Sequence, residues 1–382
     1  MNRIVTSPRH NWQEKVESVG LTYHTPDGNK YWDESAYYQL SSAEVDVLEK
    51  AGNDLHAMCI EAAQEVIDKN LFAQLGIPAD AVPYIFNSWE RDDFSLYGRF
   101  DFSYDGRNPP KLLEYNADTP TALVEAAVAQ WYWLEDTNKQ ADQFNSIHEK
   151  LVWAWKTFGA VTSGKIHLGG VKDHEEDAQT VLYLQDTCAQ AKLLTKQVFI
   201  EDLGFDSARN RFVDLEGEVV ANYFKLYPWE WMWHEEFASH LKLEACRFIE
   251  PMWKMLLANK GLLPVLWEKY PGHPNLLPAY FTKEEFARAQ PSSPDSYVEK
   301  PRLSREGANV KIVERGVRVA ETGGDYGEEG FIYQAIAPPA DFDGNHPVMG
   351  VWMINHEACG LGIREDSARI TGNLSRFVPH LF

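Results

Sequence analysis

Carboxylate, amide and guanidinium groups recur at alternate positions in one short stretch. Arg99 and Asp101 alternate in Tyr97-Gly98-Arg99-Phe100-Asp101-Phe102, and Glu114 and Asn116 alternate in Leu112-Leu113-Glu114-Tyr115-Asn116. In an extended chain, side chains two apart share a face, so Arg99, Asp101 and Ser103 point one way and Phe100 and Phe102 the other. Asp105-Gly106-Arg107-Asn108-Pro109-Pro110 is a turn-rich break. Lys111 to Asn116 then reads as a second strand with Leu112, Glu114 and Asn116 on a common face. A hairpin that sets Asp101 near Glu114 gathers the hard oxygens Mg²⁺ takes, with waters and substrate phosphates completing its shell. Arg99 would stand beside them as a planar donor to phosphate or carboxylate. The same pattern also fits an ordinary hairpin with a solvated acidic face, and the local residues leave both readings open.

The surrounding elements must hold that cluster. Ser41-Ser42-Ala43-Glu44 is a capping-box pattern that starts a long amphipathic helix through Val45, Leu48, Leu55, Met58, Cys59, Ala62 and Val66. Residues 121–134 and 143–158 read as two further helices packing on a sheet. Residues 165–171 read as a buried strand, and Asp173-His174-Glu175-Glu176-Asp177 opens a helix to about Lys192. Its acidic first turn also suits the helix dipole without any ligand. Strands are expected at 197–200 and 219–226. The Tyr227-Pro228-Trp229-Glu230-Trp231-Met232-Trp233 run then offers either core packing or an aromatic cage. Beyond Asn259-Lys260, Pro-rich joints near 271–278 and 291–294 flank a mobile segment. A strand ending at Lys300-Pro301, the loop Arg302–Asn309 and a strand at 310–314 follow, a layout that suits a lid over polyphosphate and equally a plain hairpin. Residues 331–337 and 348–354 are expected strands.

The chain has 382 residues, of which 44% are apolar, enough for two or three cores. No apolar run approaches the ~20 residues of a membrane span. The N-terminal residues lack the apolar region of a secretory signal. Cys59, Cys188, Cys246 and Cys359 lie far apart without a CxxC pair, which argues against a zinc or disulfide framework and for reduced thiols in the cytoplasm. A formal net charge of −21 excludes nucleic acid as an expected partner, since a phosphate backbone calls for a basic surface. Neither the P-loop pattern nor GxGxxG after a strand is present. Lys260, Lys300, the Gly-containing lid, the carboxylate cluster and Arg364 nonetheless add up to a nucleotide site held between two sheets.

On these motifs the chain resembles the synthetase part of the glutathionylspermidine synthase family along nearly its full length, and within it the bacterial acid–amine ligase subgroup. The residues that carry the resemblance are Tyr97-Gly98-Arg99-Phe100-Asp101, Glu114-Tyr115-Asn116-Ala117-Asp118-Thr119, Asn259-Lys260, Lys300-Pro301, Ser304-Arg305-Glu306-Gly307-Ala308-Asn309 and Tyr326-Gly327-Glu328-Glu329-Gly330. The resemblance implies an α+β ATP-grasp fold of the glutathionylspermidine synthetase type, with an α/β substrate-side subdomain and a mobile lid. It divides the chain into a helical region with the metal hairpin (1–160), a pre-ATP-grasp-like α/β subdomain (161–255) and a lid with the C-terminal nucleotide-binding region (256–382).

The implied activity is ATP-dependent amide-bond formation, in which a small-molecule or peptide carboxylate is activated as an acyl phosphate and attacked by an amine. The resemblance assigns Asp101, Glu114 and Asn116 to one or two Mg²⁺ ions. It assigns Arg99, Phe100, Asp101, Lys260, Lys300, Gly307, Gln334 and the Ala368, Arg369, Ile370 segment to ATP. It places Thr119, Thr121, Glu175 and Glu176 at substrate contacts. The charge that develops in phosphoryl transfer and amine attack makes Arg99, Arg305 and Arg364 the expected catalytic cations, and Glu230 in the Trp-rich run is a further expected substrate contact. A catalytically silent nucleotide-binding regulator and a peptide-tailoring ligase are alternatives. Two positions depart from the family pattern. Trp231 stands where a threonine of the glutathione region is expected, and Arg376 where an acidic polyamine contact is expected, so neither glutathione nor spermidine carries over. The N-terminal amidase of some members is missing, and no amide hydrolysis is expected.

Overall fold

In the computed structural model, which describes residues 1–338 and 340–382, the cluster sits on a five-stranded antiparallel sheet. The strand order is Arg376–Val378, Glu357–Asp366, His346–Ile354, Tyr97–Ser103 and Lys111–Asn116. The expected hairpin is present, with Asp101 opposite Glu114 and Arg99 opposite Asn116. Its outer partner, His346–Ile354, arrives from the far end of the chain and pairs Gly350 with Asp101 and Trp352 with Arg99. The metal-type strands are thus braced on one side by residues that are remote in sequence.

One expectation about the hairpin is corrected by a bulge. The register shifts beyond Asp101, so that Phe102 lies opposite Leu112 and Leu113 is the extra residue. A bulge interrupts the two-residue alternation. Leu112 therefore turns into the core with Phe100 and Phe102, each with no exposed area, while Leu113 joins Glu114 and Asn116 beside the cavity.

The capping box at Ser41 and Glu44 starts a helix Ser42–Asp68, whose buried stripe of Val45, Leu48, Leu55, Met58, Cys59, Ala62 and Val66 packs against the sheet. Glycine is required on the strand Glu357–Asp366, because a Cβ at Gly360 would lie 2.4 Å from Ile147 Cγ1. The expected helix at 121–134 is divided into a π turn, Glu125–Ala129, and an α-helix, Gln130–Thr137. The next helix runs Ile147–Val161.

A second, parallel sheet has the order Arg247–Ile249, Asn222–Lys225, Ile166–Gly169, Thr195–Gln197. The strand expected at 197–200 lies slightly earlier and gives way to a 3₁₀ turn at Ile200–Asp202. A third sheet, antiparallel, holds Ala279–Tyr280, Phe331–Gln334, Tyr297–Pro301, Lys311–Glu314 and Val317–Glu321. Among the described residues no helix is long and apolar enough to cross a membrane.

Candidate active site

A cavity of about 430 Å³ opens between the first and third sheets and reaches the end of the parallel one. One wall carries Arg99, Asp101, Glu114 and Asn116 from the hairpin, with Val348 and Arg364 from the strands beside it. Facing them are Val298, Lys300, Ile312 and Gln334. The remaining side is closed by Thr119, Thr121, His174, Asp177, Trp231, Arg305, Glu306 and Gly307, with Arg369 and Ile370 at the edge. Val298, Ile312, Ile336 and Val348 add apolar surface beside the charged groups of this lining.

The carboxylates and cations interlock. Arg99 donates Nε to Asp101 Oδ1 at 2.7 Å and Nη2 to Oδ2 at 3.1 Å, and its Nη1 reaches the Thr121 carbonyl at 2.6 Å. Arg364 Nη2 donates to Asp101 Oδ2 at 2.9 Å. Asn116 Nδ2 lies 3.2 Å from an oxygen of Asp101 and 3.2 Å from an oxygen of Glu114, so both carboxylates converge on one point. Lys260 Nζ stands 3.0 Å from Glu114 Oε2 and donates to the Ser304 carbonyl at 2.8 Å. Lys300 Nζ donates to the Leu113 carbonyl at 2.9 Å and to Gln334 Oε1 at 2.8 Å.

These neighbours set the protonation states. Burial works to raise the Glu114 carboxyl, but Lys260 and Lys300 outweigh it and bring the group down to about 2. Burial carries Lys300 down to about 8, opposed by Glu114 and assisted by Lys260. Arg305 stays charged despite burial because Glu230 and Asp118 hold it so. Burial lifts the Asp177 carboxyl to about 6, with His174 pulling down and Glu176 pushing up.

The donor set fits a hard divalent cation. Two carboxylates share one small region with the Asn116 amide, which turns its NH2 to them here and would present its oxygen to a cation after a flip, and the protein's own cations neutralise the carboxylates. The lid also fits a polyanion, since Arg305 Nε and Ser304 Oγ are buried without a hydrogen-bond partner.

Several sequence-named residues lie off the cavity lining. Phe100 faces the core, stacked on Tyr115 at 3.8 Å between ring centroids. Lys260 reaches the site through Glu114, and Glu230 through Arg305 at 3.1 Å. Ala368 is exposed beside Arg369. Glu175 is exposed and Glu176 is buried behind the wall, whereas His174 and Asp177 face the cavity. His174 caps the helix, and residues three apart share a helical face, so the sequence-named pair is displaced by one position at each end. Trp231 lines the cavity, with the Arg305 guanidinium 5.6 Å from its ring. Arg376 does not: it pairs with Asp33 at 3.2 Å, Glu365 at 3.1 Å and Asn345 at 2.7 Å. Its positive charge therefore says nothing about an amine in the cavity.

The sequence reading missed the Lys225–Asp118 ion pair. Lys225 Nζ lies 2.6 Å from Asp118 Oδ1, both side chains are almost fully buried, and Asp118 Oδ2 accepts the Trp229 amide at 3.0 Å. The bond ties the parallel sheet to the segment that carries Thr119 and Thr121. A lysine set between Tyr223-Phe224 and Leu226 was the available signal.

Comparison with known proteins decides the family. The model of "Glutathionylspermidine synthase preATP-grasp" matches residues 3–382. The chain belongs to the glutathionylspermidine synthase family. It is 43% identical, over all of both chains, to a Haemophilus influenzae protein named "Putative acid--amine ligase". It is 31% identical to trypanothione synthetase of Crithidia fasciculata, over 85% of this chain and 53% of that one. It is 29% identical to the bifunctional glutathionylspermidine synthetase/amidase of Escherichia coli, over 96% of this chain and 63% of that protein. The chain thus spans little more than half the length of the latter two relatives. A glutathione synthetase-like effector from Globodera pallida shares the fold at a TM-score of 0.55 and 9% identity, over 97% of this chain and 96% of that one. The α+β, ATP-grasp architecture expected for the glutathionylspermidine synthase family is the one found.

Proposed function

We propose that the protein is an ATP- and Mg²⁺-dependent carboxylate–amine ligase of the C–N type that works through an acyl phosphate. The observation that carries this reading is the meeting, in one cavity between two sheets, of the Asp101–Glu114–Asn116 carboxylate and amide cluster with Lys300, Arg305 and Arg364. Asp101, Glu114 and Asn116 would hold one or two Mg²⁺ ions, which when bound neutralise charge on the polyphosphate. Lys260, Lys300, Gln334, Gly307 and the Arg369–Ile370 edge surround the nucleotide, its base against the apolar surface.

Arg99, Arg305 and Arg364 supply fixed positive charge to the transferring phosphoryl oxygens and to the oxyanion formed when the amine attacks. They are prepositioned by Asp101, Thr119 and Glu230, so little reorganisation accompanies the reaction. The acid substrate lies against Thr119, Thr121, Arg305 and Trp231. Asp177, its carboxyl lifted by burial to about 6, faces the amine side and accepts an ammonium proton. Residues 161–255 form the substrate side, and 256–382 hold the lid and the C-terminal nucleotide-binding region. A cytoplasmic setting is supported by the free cysteines Cys59, Cys188, Cys246 and Cys359.

The test is Mg²⁺-dependent ATP turnover with paired acids and amines, followed by mass spectrometry of the product. Asp101→Asn should lower turnover by roughly 100-fold or more, the few kcal/mol of charge stabilisation a bound cation supplies. ATP binding without phosphate release under every mixture would instead make the protein a nucleotide-binding regulator, and a modified peptide would make it a peptide-tailoring ligase.

A further inference from the structure

We propose that His167, Asp214 and Glu218 form a separate binding site for a zinc-class divalent cation. None of the three lines the cavity between the sheets. One ligand atom from each lies within 4.8 Å of the others.

His167 sits on the strand Ile166–Gly169, between Lys196 and Tyr223 on the neighbouring strands. It has no exposed area, and neither ring nitrogen has a hydrogen-bond partner. A buried imidazole with both nitrogens unpaired is rare, because each lost water contact goes uncompensated. The neutral imidazole is the form that ligates metals.

The carboxylates come from one rigid turn. Asp214 Oδ1 accepts the amides of Glu216 at 3.0 Å and Glu218 at 2.8 Å, and the Asp214 amide donates to the Glu218 carbonyl at 3.0 Å. That leaves Asp214 Oδ2 free of backbone partners, directed to Lys196. Two carboxylates and a neutral imidazole balance a 2+ charge. The mixed nitrogen and oxygen set favours zinc over Mg²⁺ or Ca²⁺, which take oxygen alone.

Two ammonium groups neutralise the carboxylates when no metal is bound. Lys196 contacts Asp214, Glu216 and Glu218, and Lys165 contacts Glu218 at 2.6 Å. Both lysine side chains keep 28% of their surface exposed, so they can swing into water as the cation enters. The cation therefore competes with Lys196 for Asp214.

Zinc titration by calorimetry on the full chain, in excess Mg²⁺ to saturate the oxygen-only cluster, tests the site. Wild type should take up a zinc ion that His167→Gln and Glu218→Gln each bind at least ~10-fold more weakly. Glu218 is exposed, so its substitution leaves the fold intact and isolates the ligand effect. Lys196→Met should bind zinc more tightly than wild type, an effect a purely structural role for these residues would not produce. The proposal is overturned if wild type takes up no zinc, or if His167→Gln and Glu218→Gln bind it as tightly as wild type.

Discussion

Lys260 and Glu114, remote in sequence, form an ion pair of 3.0 Å whose carboxylate is held down to a pKa of about 2. An ordinary glutamate titrates near ~4.3. The stabilisation is therefore complete above that value and is lost as pH falls toward 2. Glu114→Gln removes it and leaves two buried ammonium groups with less compensation. Urea unfolding at pH 7 should show a loss of about 1–3 kcal/mol, and the gap from wild type should narrow below about pH 4.3 and close only toward pH 2.

Lys300 predicts the same sign of pH dependence on the alkaline side. Its folded pKa is about 8, against ~10.4 for an unfolded lysine, so the unfolded chain holds more protons between those values. Stability should rise with pH across that window in wild type and stay flatter in Lys300→Met. A bound polyphosphate would restore the charge. ATP–Mg²⁺ binding at pH 8.5 should then take up a proton in wild type and none in Lys300→Met, as read by calorimetry in two buffers of different ionisation enthalpy.

The Lys225–Asp118 pair is buried at both ends, and breaking such a pair leaves an uncompensated charge. Lys225→Met should cost about 3–5 kcal/mol of stability by denaturant unfolding. The double variant Lys225→Met, Asp118→Asn should recover part of that loss. A double variant as unstable as the single one would show that the pair's packing and backbone contacts, not its charges, carry the effect.

Arg376 separates stability from substrate choice. Its guanidinium neutralises the buried Asp33 and Glu365 outside the cavity. Arg376→Ala should lower stability by about 1–3 kcal/mol while leaving KM for both acid and amine unchanged. Trp231→Ala, which empties part of the lining, should instead raise KM for the acid with little effect on stability, since Trp231 is 41% exposed.

The sequence determined the parts that local periodicity encodes. Alternation put Arg99 with Asp101 and Glu114 with Asn116, the capping box fixed the start of the helix at Ser42, and the motif residues carried the family. Tertiary structure decided what alternation cannot carry. A bulge turned Leu112 into the core and brought Leu113 to the cavity, and the cap at His174 presented Asp177 in place of Glu175. Sheet pairing brought Arg364 toward the hairpin and took Arg376 away from it, while the third sheet delivered Lys300 from across the cavity. The physical reason is that side-chain direction follows from backbone geometry within a few residues. Which distant charges meet depends on strand register and on the burial that makes an unpaired charge too costly to keep.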